Sequence, residues 1–441
     1  MYSQARQTLK LAFPIILGEL AQMALHVIDT AMVGAVDYKQ LAAAALVVSV
    51  MNIPFVFGIG ITIAVSQMVS MAHGKGDDGK VSHYLFNGFW LCLFTAVVIT
   101  FILLANTQIL FHLNQDSDVA TLALPYMKLM SWSVIPMILF LTLKSFADGL
   151  ELTKTAMLLS LLALPVNIFL NWLLIYGNWG FPRLELIGAG WGTLLTRILI
   201  FLLLLLVIHY HHKFNKYIAL RKEQWKFSWK AQRELLHIGI PSSFQITLEA
   251  GAFAISGIII GTIGAVELAA HQIALSLASI TFMASMGLSQ AGAIRTSNAN
   301  GRKDYFTIKT IGKGTLIMAL IYGTSCAILF VLMRKQLPLI FNDDTQVITL
   351  AAYLLVFAAL FQISDSVQVV SAGLLRGVKD VKVPTYFVAI AYWVIGIPVG
   401  YLLAFHFNMG AAGIWMGFII GLSCSAIFLS MRFKKITGNM K

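Results

Sequence analysis

The chain has 441 residues, of which 59% are hydrophobic and only 11% are charged, and its formal net charge is +12. Soluble globular proteins carry about 25% charged residues, so this composition excludes an ordinary soluble enzyme, a disordered chain and a fibrous protein. A membrane-spanning helix needs about 20 apolar residues, and the length therefore accommodates about twelve spans with short connections.

Twelve apolar segments follow one another between residues 9 and 432. None shows the alternating polarity, over about ten residues, that marks a strand of a membrane β-barrel. We therefore predict an all-α membrane protein with twelve transmembrane helices. The three cysteines lie inside apolar segments without paired spacing, which predicts small core residues rather than disulfides.

The Lys and Arg residues divide unequally between the two sets of connections. One set holds 25 of the 31 positive residues, the other holds five, and Arg197 falls inside a span. Cytoplasmic loops carry the excess of positive residues, so the richer side is predicted to be cytoplasmic, with both termini there. The net charge thus indicates topology and not nucleic-acid binding.

The longest connection, residues 210–235, is strongly basic. The simpler interpretation of this loop is contact with anionic lipid headgroups. A metal-binding histidine cluster formed by His209, His211 and His212 is the alternative.

The chain also contains an internal repeat, because residues 6–77 align without a gap with residues 233–304 at a constant offset of 227. The matches include Pro14 with Pro241, Gly34 with Gly261, Gly60 with Gly287, and Asp77 with Asp304. Each half has six spans, so we predict two six-helix lobes related by a pseudo-two-fold axis along the membrane normal. The lobes are placed at residues 1–209 and 236–441, joined by the linker 210–235. Such repeats are typical of transporters whose substrate site lies between the halves.

Four acidic residues lie well inside spans, namely Glu19, Asp29, Glu249 and Asp365. A carboxylate at such a depth is costly, which makes each a candidate functional residue. The alternative is a carboxylate that a neighbouring donor satisfies and that only fixes packing.

In the first half, one helix face carries several of the candidates. Glu19, Gln22, His26 and Asp29 follow helical spacing, Asn167 and Asn171 are four apart on the fifth span, and Thr193 and Thr196 lie on the sixth. A carboxylate with neutral oxygens suits a hard cation such as Na⁺. A lone buried carboxylate also binds a proton well.

The second half offers a different set. Gln245 and Glu249 are one turn apart on the seventh span, and the tenth span carries Gln362, Asp365, Ser366 and Gln368. At helical rise Glu249 lies about 20 Å and Asp365 about 14 Å from the cytoplasmic end of its span. These depths are close enough for a shared cation site.

Arg197 is the one basic residue predicted far from both membrane surfaces. At helical rise it lies about 18 Å from the cytoplasmic end of its span, and Glu19 lies about 15 Å from its own. Because an unpaired guanidinium in hydrocarbon is costly, we predict that Arg197 and Glu19 form a structural ion pair that leaves Asp29 free for a cation. Bonds from Arg197 to backbone carbonyls or water, or contact with an anionic substrate, are the alternatives.

Three motifs carry a resemblance to a known family. They are P-x14-D-T-x-M-V-G from Pro14 to Gly34, G-x-x-E-L-A-A-H-Q-I from Gly264 to Ile273, and G-L-L-R-G-x-K-D from Gly373 to Asp380. Together they resemble the MATE family of multidrug and toxic compound extrusion transporters, in its bacterial NorM-like branch. The resemblance implies two six-helix lobes around a V-shaped central cleft, and the exchange of Na⁺ or H⁺ for organic, often cationic, compounds.

The resemblance also assigns residues to the coupling ion. It places Asp29, Asn167 and Asn171 at the cation position of the first lobe, and Glu249 and Asp365 at that of the second. Other members carry a second carboxylate where Asn171 stands, and a tyrosine where this chain has Phe361. Loss of that carboxylate puts a strict two-carboxylate proton site in doubt.

The function predicted from the sequence is a secondary active antiporter for multidrug efflux, working by alternating access in a bacterial inner membrane, and not an enzyme. We expect no cofactor beyond the coupling ion, with Na⁺ slightly preferred to H⁺, and small organic substrates, the lipid bilayer and no nucleic acid as partners of a monomer. The G-x-G-x-G run at Gly188, Gly190 and Gly192 predicts close helix packing rather than a phosphate loop. A flippase for lipid-linked precursors is the alternative function, although its cleft should carry several cationic side chains.

Overall fold

The computed structural model describes residues 2–112 and 116–440. Lys441, counted above among the cytoplasmic positive residues, lies outside them. The regular secondary structure of the described residues is helical, and twelve of these helices are long and apolar enough to cross a membrane. The prediction of an all-α, multi-pass membrane protein is confirmed.

The long helices of the first half are α1 (Tyr2–Gly34), α2 (Tyr38–Gly74), α3 (Asp78–Ala105), α4 (Ser117–Gly149), α5 (Thr153–Leu174) and α6 (Glu185–Tyr210). Two short helices follow, α7 (His212–Ala219) and α8 (Arg221–Gln224). The second half contains α9 (Trp229–Gly261), α10 (Ala265–Gly301), α11 (Tyr305–Met333), α12 (Thr345–Gly377), α13 (Lys382–Ala389), α14 (Ile397–Tyr401) and α15 (Ala411–Asn439). The eleventh span is composite, because π-helical segments at Ile390–Gly396 and Leu402–His406 follow α13 and α14.

The internal repeat reappears in the helix boundaries. Helices α2 and α10 both have 37 residues, and their ends are repeat equivalents. Even the caps correspond. The Asp77 carboxylate accepts a hydrogen bond from the main-chain nitrogen of Lys80 at 2.9 Å, and Asp304 accepts one from that of Thr307 at 3.0 Å. The two halves therefore share local structure down to the residues that begin each third helix.

The helices form two compact units, one of Leu17–Ser243 and one of Met1–Ile16 together with Phe244–Lys441. The N-terminal ends of α1 and α9 are thus exchanged between the two repeats. The predicted lobes, 1–209 and 236–441, differ from the units in these segments, and the lobe boundaries stay a prediction.

Glycines allow the exchanged segments to approach their neighbours. In the first unit, a Cβ atom on Gly60 would lie 2.3 Å from the Cα atom of Ser243, and in the second, one on Gly287 would lie 3.0 Å from the main-chain nitrogen of Ile16. Gly60 and Gly287 are repeat equivalents, as are Ile16 and Ser243. Contacts this close between backbones exclude a larger residue at either glycine.

The basic connection folds against α3 within the first unit. The Ser82 hydroxyl donates to the carbonyl of Tyr217 at 2.8 Å and accepts from the indole of Trp225 at 3.1 Å. Lys216 donates to Asp78 at 2.9 Å, and this hydrogen bond raises the pKa of the Lys216 ammonium. Contact of this connection with lipid headgroups stays a prediction.

Candidate functional site

The first candidate site is built around Asp29, at the meeting of α1, α5 and α6. The carboxylate is 8% exposed. Its Oδ1 atom accepts from the amide of Asn171 at 2.6 Å, and its Oδ2 atom accepts from the hydroxyl of Thr193 at 3.0 Å. The same amide nitrogen lies 3.1 Å from Oδ1 of Asn167. Four residues selected from the sequence are therefore in one cluster.

Small residues make room for this cluster. A Cβ atom on Gly192 would lie 2.2 Å from Oδ1 of Asn171, and one on Gly188 would lie 2.5 Å from the carbonyl oxygen of Leu174. Helices α5 and α6 can therefore pack closely, as predicted from the G-x-G-x-G run. Because Gly192 has no side chain, the Asn171 amide can lie against α6 in the candidate ion site. The sequence pattern alone did not assign this role to Gly192.

The donors of the cluster are aimed at the carboxylate, while some polar atoms around it are unused. Oδ1 of Asn171 and Nδ2 of Asn167 are buried without a hydrogen-bond partner among the described residues. An amide exchanges the positions of its oxygen and nitrogen when it turns by half a turn. Turning Asn171 in this way would present an oxygen in place of a donor.

The remaining polar residues of this face are less closely joined to Asp29. The Nε2 atom of Gln22 is buried without a partner among the described residues. His26 is exposed and lies within electrostatic range of Asp29 and Arg197. Thr196 donates to the carbonyl of Gly192 at 2.7 Å, so its hydroxyl is used within its own helix.

The predicted ion pair between Glu19 and Arg197 is wrong. Lys144 of α4 places its Nζ atom 2.9 Å from Oε1 of Glu19. Arg197 instead donates to the Ser133 hydroxyl at 2.7 Å and lies 5.8 Å from the centroid of the Phe55 ring. Equal depth in the membrane does not decide which helix faces which, and the buried Lys144, whose side chain is 6% exposed, takes the place predicted for Arg197.

The second candidate site lies in the other unit and begins with Glu249 of α9. Its Oε1 atom accepts from Gln368 of α12 at 2.9 Å and from Gln245, one turn earlier on α9, at 3.2 Å. These three residues, all selected from the sequence, are thus brought together. The carboxylate is 8% exposed.

Asp365 joins the same region from α12. It is 3% exposed, and its Oδ2 atom has no hydrogen-bond partner among the described residues. It lies within electrostatic range of Glu249. Both amide atoms of Gln362, one turn away, are also buried and unpartnered in this part of the chain. Ser366, by contrast, pairs with the Ser285 hydroxyl at 2.9 Å. Two carboxylates with unused polar atoms nearby can accept a cation or a proton.

A tyrosine missed by the sequence interpretation borders this second site. Tyr392 lies in the first π-helical segment, is 1% exposed and is within electrostatic range of Glu249 and Asp365. Its ring centroid is 5.9 Å from that of Phe253, which is also 5.9 Å from that of Phe361. Aromatic residues are common in this chain, and no periodicity distinguishes Tyr392 from the others.

The histidines at the end of α6 do not add a metal centre to these sites. His211 and His212 stack with ring centroids 4.5 Å apart. Within residues 2–112 and 116–440, no group of three or more His, Cys, Asp or Glu residues could hold a metal ion. The alternative of a histidine metal cluster therefore has no support from the described residues.

The sequence model of the MatE family matches residues 14–173 and 241–402, which include both carboxylate clusters except Thr193. The chain belongs to the MatE family. The probable multidrug resistance protein NorM of Rhizobium meliloti (strain 1021) is 35% identical to it over 439 residues, covering 98% of this chain and 93% of that protein. The resemblance to the NorM-like branch of MATE proteins is confirmed.

Solved MATE structures share the fold. The eukaryotic MATE transporter AtDTX14 matches with a TM-score of 0.89 at 20% identity, over 100% of this chain and 98% of that one. An outward-facing multidrug resistance MATE family transporter of the MOP superfamily matches with a TM-score of 0.91 at 17% identity, over 99% of this chain and 96% of that one. At these identities the likeness concerns the fold alone.

Proposed function

We propose that this MatE family member is a secondary active antiporter that expels organic, mostly cationic, compounds in exchange for Na⁺ or H⁺ by alternating access. The observation that carries the proposal is the pair of buried carboxylate clusters, around Asp29 in one unit and around Glu249 and Asp365 in the other. Ionisable residues at such positions in a membrane protein are costly and mark ion pathways.

The chemistry at Asp29 supports both ions. A Na⁺ ion needs oxygen ligands, so its binding requires the Asn171 amide to turn and offer the oxygen that is now unused. A proton instead converts one carboxylate oxygen into a donor and displaces one of the two hydrogen bonds. In either case the ion changes the contacts of α1 with α5 and α6, which gives it different affinities for two conformations. Such differential affinity is what couples an ion to a conformational change.

The second cluster supports coupling because it contains two carboxylates, whereas the first contains one. Full ionisation of Glu249 and Asp365 places two like charges in a buried region, while Gln245 and Gln368 donate to only one of them. A cation or a proton relieves this repulsion. Tyr392 is a candidate for the phenolic oxygen that Phe361 does not supply.

The substrate class and location rest on the relatives and on charge. The NorM relative is named for multidrug resistance, and the solved relatives are named as transporters. We propose that the protein is a monomer in a bacterial inner membrane. Its termini face the cytoplasm in this proposal, because the positive residues concentrate in the connections on the side of the termini. Aromatic and methionine side chains, 29 Phe and 18 Met among them, can line a path for apolar cations.

A lipid-linked precursor flippase is not supported by the basic residues. Such a cleft should present several cations to a pyrophosphate. Lys144 is paired with carboxylates, and Arg197 donates to the Ser133 hydroxyl. We therefore retain the antiporter, and not an enzyme or a flippase, as the function.

The test is ethidium efflux from proteoliposomes without ATP, driven by an imposed Na⁺ or pH gradient. We expect Asp29→Asn and Asp365→Asn each to lower gradient-driven efflux about tenfold, within the range typical of coupling free energies. The matched control is Asp118→Asn, because Asp118 is exposed and pairs with Lys39 at the surface. Wild-type efflux from both variants, at every imposed gradient, would contradict the assignment of these carboxylates.

The same assay separates the two ions. We expect a Na⁺ gradient to drive efflux, because neutral oxygens accompany the carboxylate at Asp29. Efflux that follows a pH jump and never a Na⁺ jump would reverse that preference.

A further inference from the structure

The first unit contains a second buried ionic cluster, separate from Asp29. It consists of Glu19 on α1 and of Lys144 and Asp148 on α4, and we call it the α1–α4 triad. The Nζ atom of Lys144 lies 2.9 Å from Glu19 and 3.4 Å from Asp148. The side chains of Lys144 and Asp148 are 6% and 4% exposed, and that of Glu19 is 18% exposed.

The charges of the triad do not balance. Two carboxylates face one ammonium, so full ionisation gives these three groups one net negative charge. Burial of an ionised carboxylate is costly, and protonation of Asp148 removes that cost. The charged groups that face Asp148 are Lys144 on its own helix and Glu19 on α1. On the neighbouring helix α5, the neutral residue Ser160 lies beside Gly18 of α1.

The triad and a neighbouring serine also have hydrogen-bonding atoms without partners among the described residues. Oδ1 of Asp148 is buried without a partner among the described residues, and so is the Ser160 hydroxyl. Both Ser160 and Lys144 border the space beside Gly18, because a Cβ atom there would lie 3.8 Å from Oγ of Ser160 and 3.9 Å from Cε of Lys144. An unpaired oxygen on a carboxylate that carries excess charge is a place where a proton can bind.

We propose that the α1–α4 triad is a proton-binding site, in which one proton binds the Asp148 carboxyl group while Lys144 remains an ammonium paired with Glu19. The proton comes from bulk water, forms an O–H bond on one carboxyl group and returns to bulk water when that bond breaks. The triad is then neutral when protonated and carries one negative charge when deprotonated. The inference rests on the proposed antiport for its role in transport.

The position of Glu19 connects this site to the first cation candidate. Glu19 and Asp29 are ten residues apart on α1, about 15 Å at helical rise. Protonation changes how strongly α4 holds α1 through Lys144, and α1 also carries Asp29. The triad would thus give this chain a proton-dependent step even though Asn171 replaces the second carboxylate beside Asp29.

The first experiment follows the proton directly. The full-length protein in detergent is titrated with acid, and the C=O stretching band of a protonated carboxyl group is followed by infrared spectroscopy. We expect a component of this band to disappear in Asp148→Asn, which retains the one-to-one pair of Lys144 and Glu19. It should persist in the surface control Asp118→Asn and in Asp29→Asn.

The variant Glu19→Gln, which leaves Lys144 paired with Asp148 alone, provides an independent measurement of the proton on Asp148. We expect it to lose the same band component. A band that is unchanged in both Asp148→Asn and Glu19→Gln overturns the proposal. Because this readout needs no transport, it stands or falls separately from the proposed function.

The second experiment measures the consequence in proteoliposomes without Na⁺. We expect efflux driven by a pH gradient to fall about tenfold in Asp148→Asn, with the pH dependence of the remaining activity flattened. An unchanged pH profile overturns the role of the triad in coupling. If the wild type itself shows no efflux with either gradient, the antiporter proposal fails instead, and the infrared result still decides whether the triad binds a proton.

Discussion

The amide of Asn171 donates to the carboxylate of Asp29 across 2.6 Å, from α5 to α1. This hydrogen bond occupies the position where other family members are expected to carry a second carboxylate. The chain therefore satisfies one buried charge with a neutral donor. That choice determines how the site should respond to substitution.

Asn171→Asp should convert the site toward proton binding. Two carboxylates at this separation cannot both ionise without strong repulsion, so they share a proton near neutral pH. We expect the ratio of pH-driven to Na⁺-driven efflux to rise about tenfold in proteoliposomes. Asn171→Ser, which adds no charge, is the matched control and should not raise it. Equal ratios in wild type and Asn171→Asp would show that this position does not select the ion.

Gly192→Ala should disturb the same cluster from the opposite helix. The new methyl group would stand 2.2 Å from the Asn171 amide and must displace it from Asp29. Overpacking of this kind costs about 1–3 kcal/mol. We expect a lower unfolding temperature in detergent and weaker Na⁺-driven efflux. Gly438→Ala, near the end of α15 with open space around it, is the control and should not lower the unfolding temperature.

The second cluster offers a paired test with tyrosine and phenylalanine. We expect Tyr392→Phe to weaken ion-driven efflux because it removes the phenolic oxygen near Glu249 and Asp365. Adding Phe361→Tyr to that variant should recover part of the loss, since it supplies a phenol one turn before Asp365. Efflux by Tyr392→Phe at the wild-type level, with a wild-type dependence on ion concentration, would remove Tyr392 from the site.

Lys144 and Arg197 should differ in their effect on stability. Lys144→Met leaves two buried carboxylates without their cation, and breaking a buried pair in this way costs about 3–5 kcal/mol. Arg197→Gln keeps a donor for Ser133 and should cost less. Thermal unfolding of both variants in detergent measures the difference. Equal losses would mean that the triad contributes no more to stability than the single hydrogen bond of Arg197.

The N-cap of α11 should make stability depend on acidity. The hydrogen bond from Thr307 lowers the pKa of Asp304. The ionised cap therefore adds its full stability above about pH 3.9, the ordinary aspartate pKa, and this stability is lost as the pH falls through the lowered pKa. Asp304→Ala should therefore cost about 1 kcal/mol near neutral pH and less in acid. Asp304→Asn can cap the helix without a charge, so the difference in stability between the Asn and Ala variants should persist in acid. Thermal unfolding of the wild type and both variants, near neutral pH and in acid, tests this prediction.

The sequence predicted the helices and the repeat because apolar length and a fixed offset are local properties. It also predicted the Asp29 cluster, because the resemblance to the MATE family places Asp29, Asn167 and Asn171 at one cation position. It did not predict that Lys144 would face Glu19. Depth along a helix can be counted from the sequence, but the direction in which α1 faces α4 depends on the packing of the whole unit.

Tyr392 was missed for a different physical reason. The eleventh span contains two π-helical segments, in which the residues per turn differ from those of an α-helix. A regular helical period therefore assigns the wrong faces beyond Ile390. Gly192 was recognised as a packing residue, but its contact with the Asn171 amide required the positions of both helices.

The exchange of Met1–Ile16 and Trp229–Ser243 between the repeats bears on how such a chain arose. A half-length ancestor with the same helix arrangement lacked, within its own chain, the segment that completes its compact unit. It could acquire that segment only from a second copy, as in a domain-swapped dimer. Gene duplication and fusion would then have placed both donors in a single polypeptide. For the same reason, a gene split in the basic connection should give active protein only when both fragments are made in the same cell.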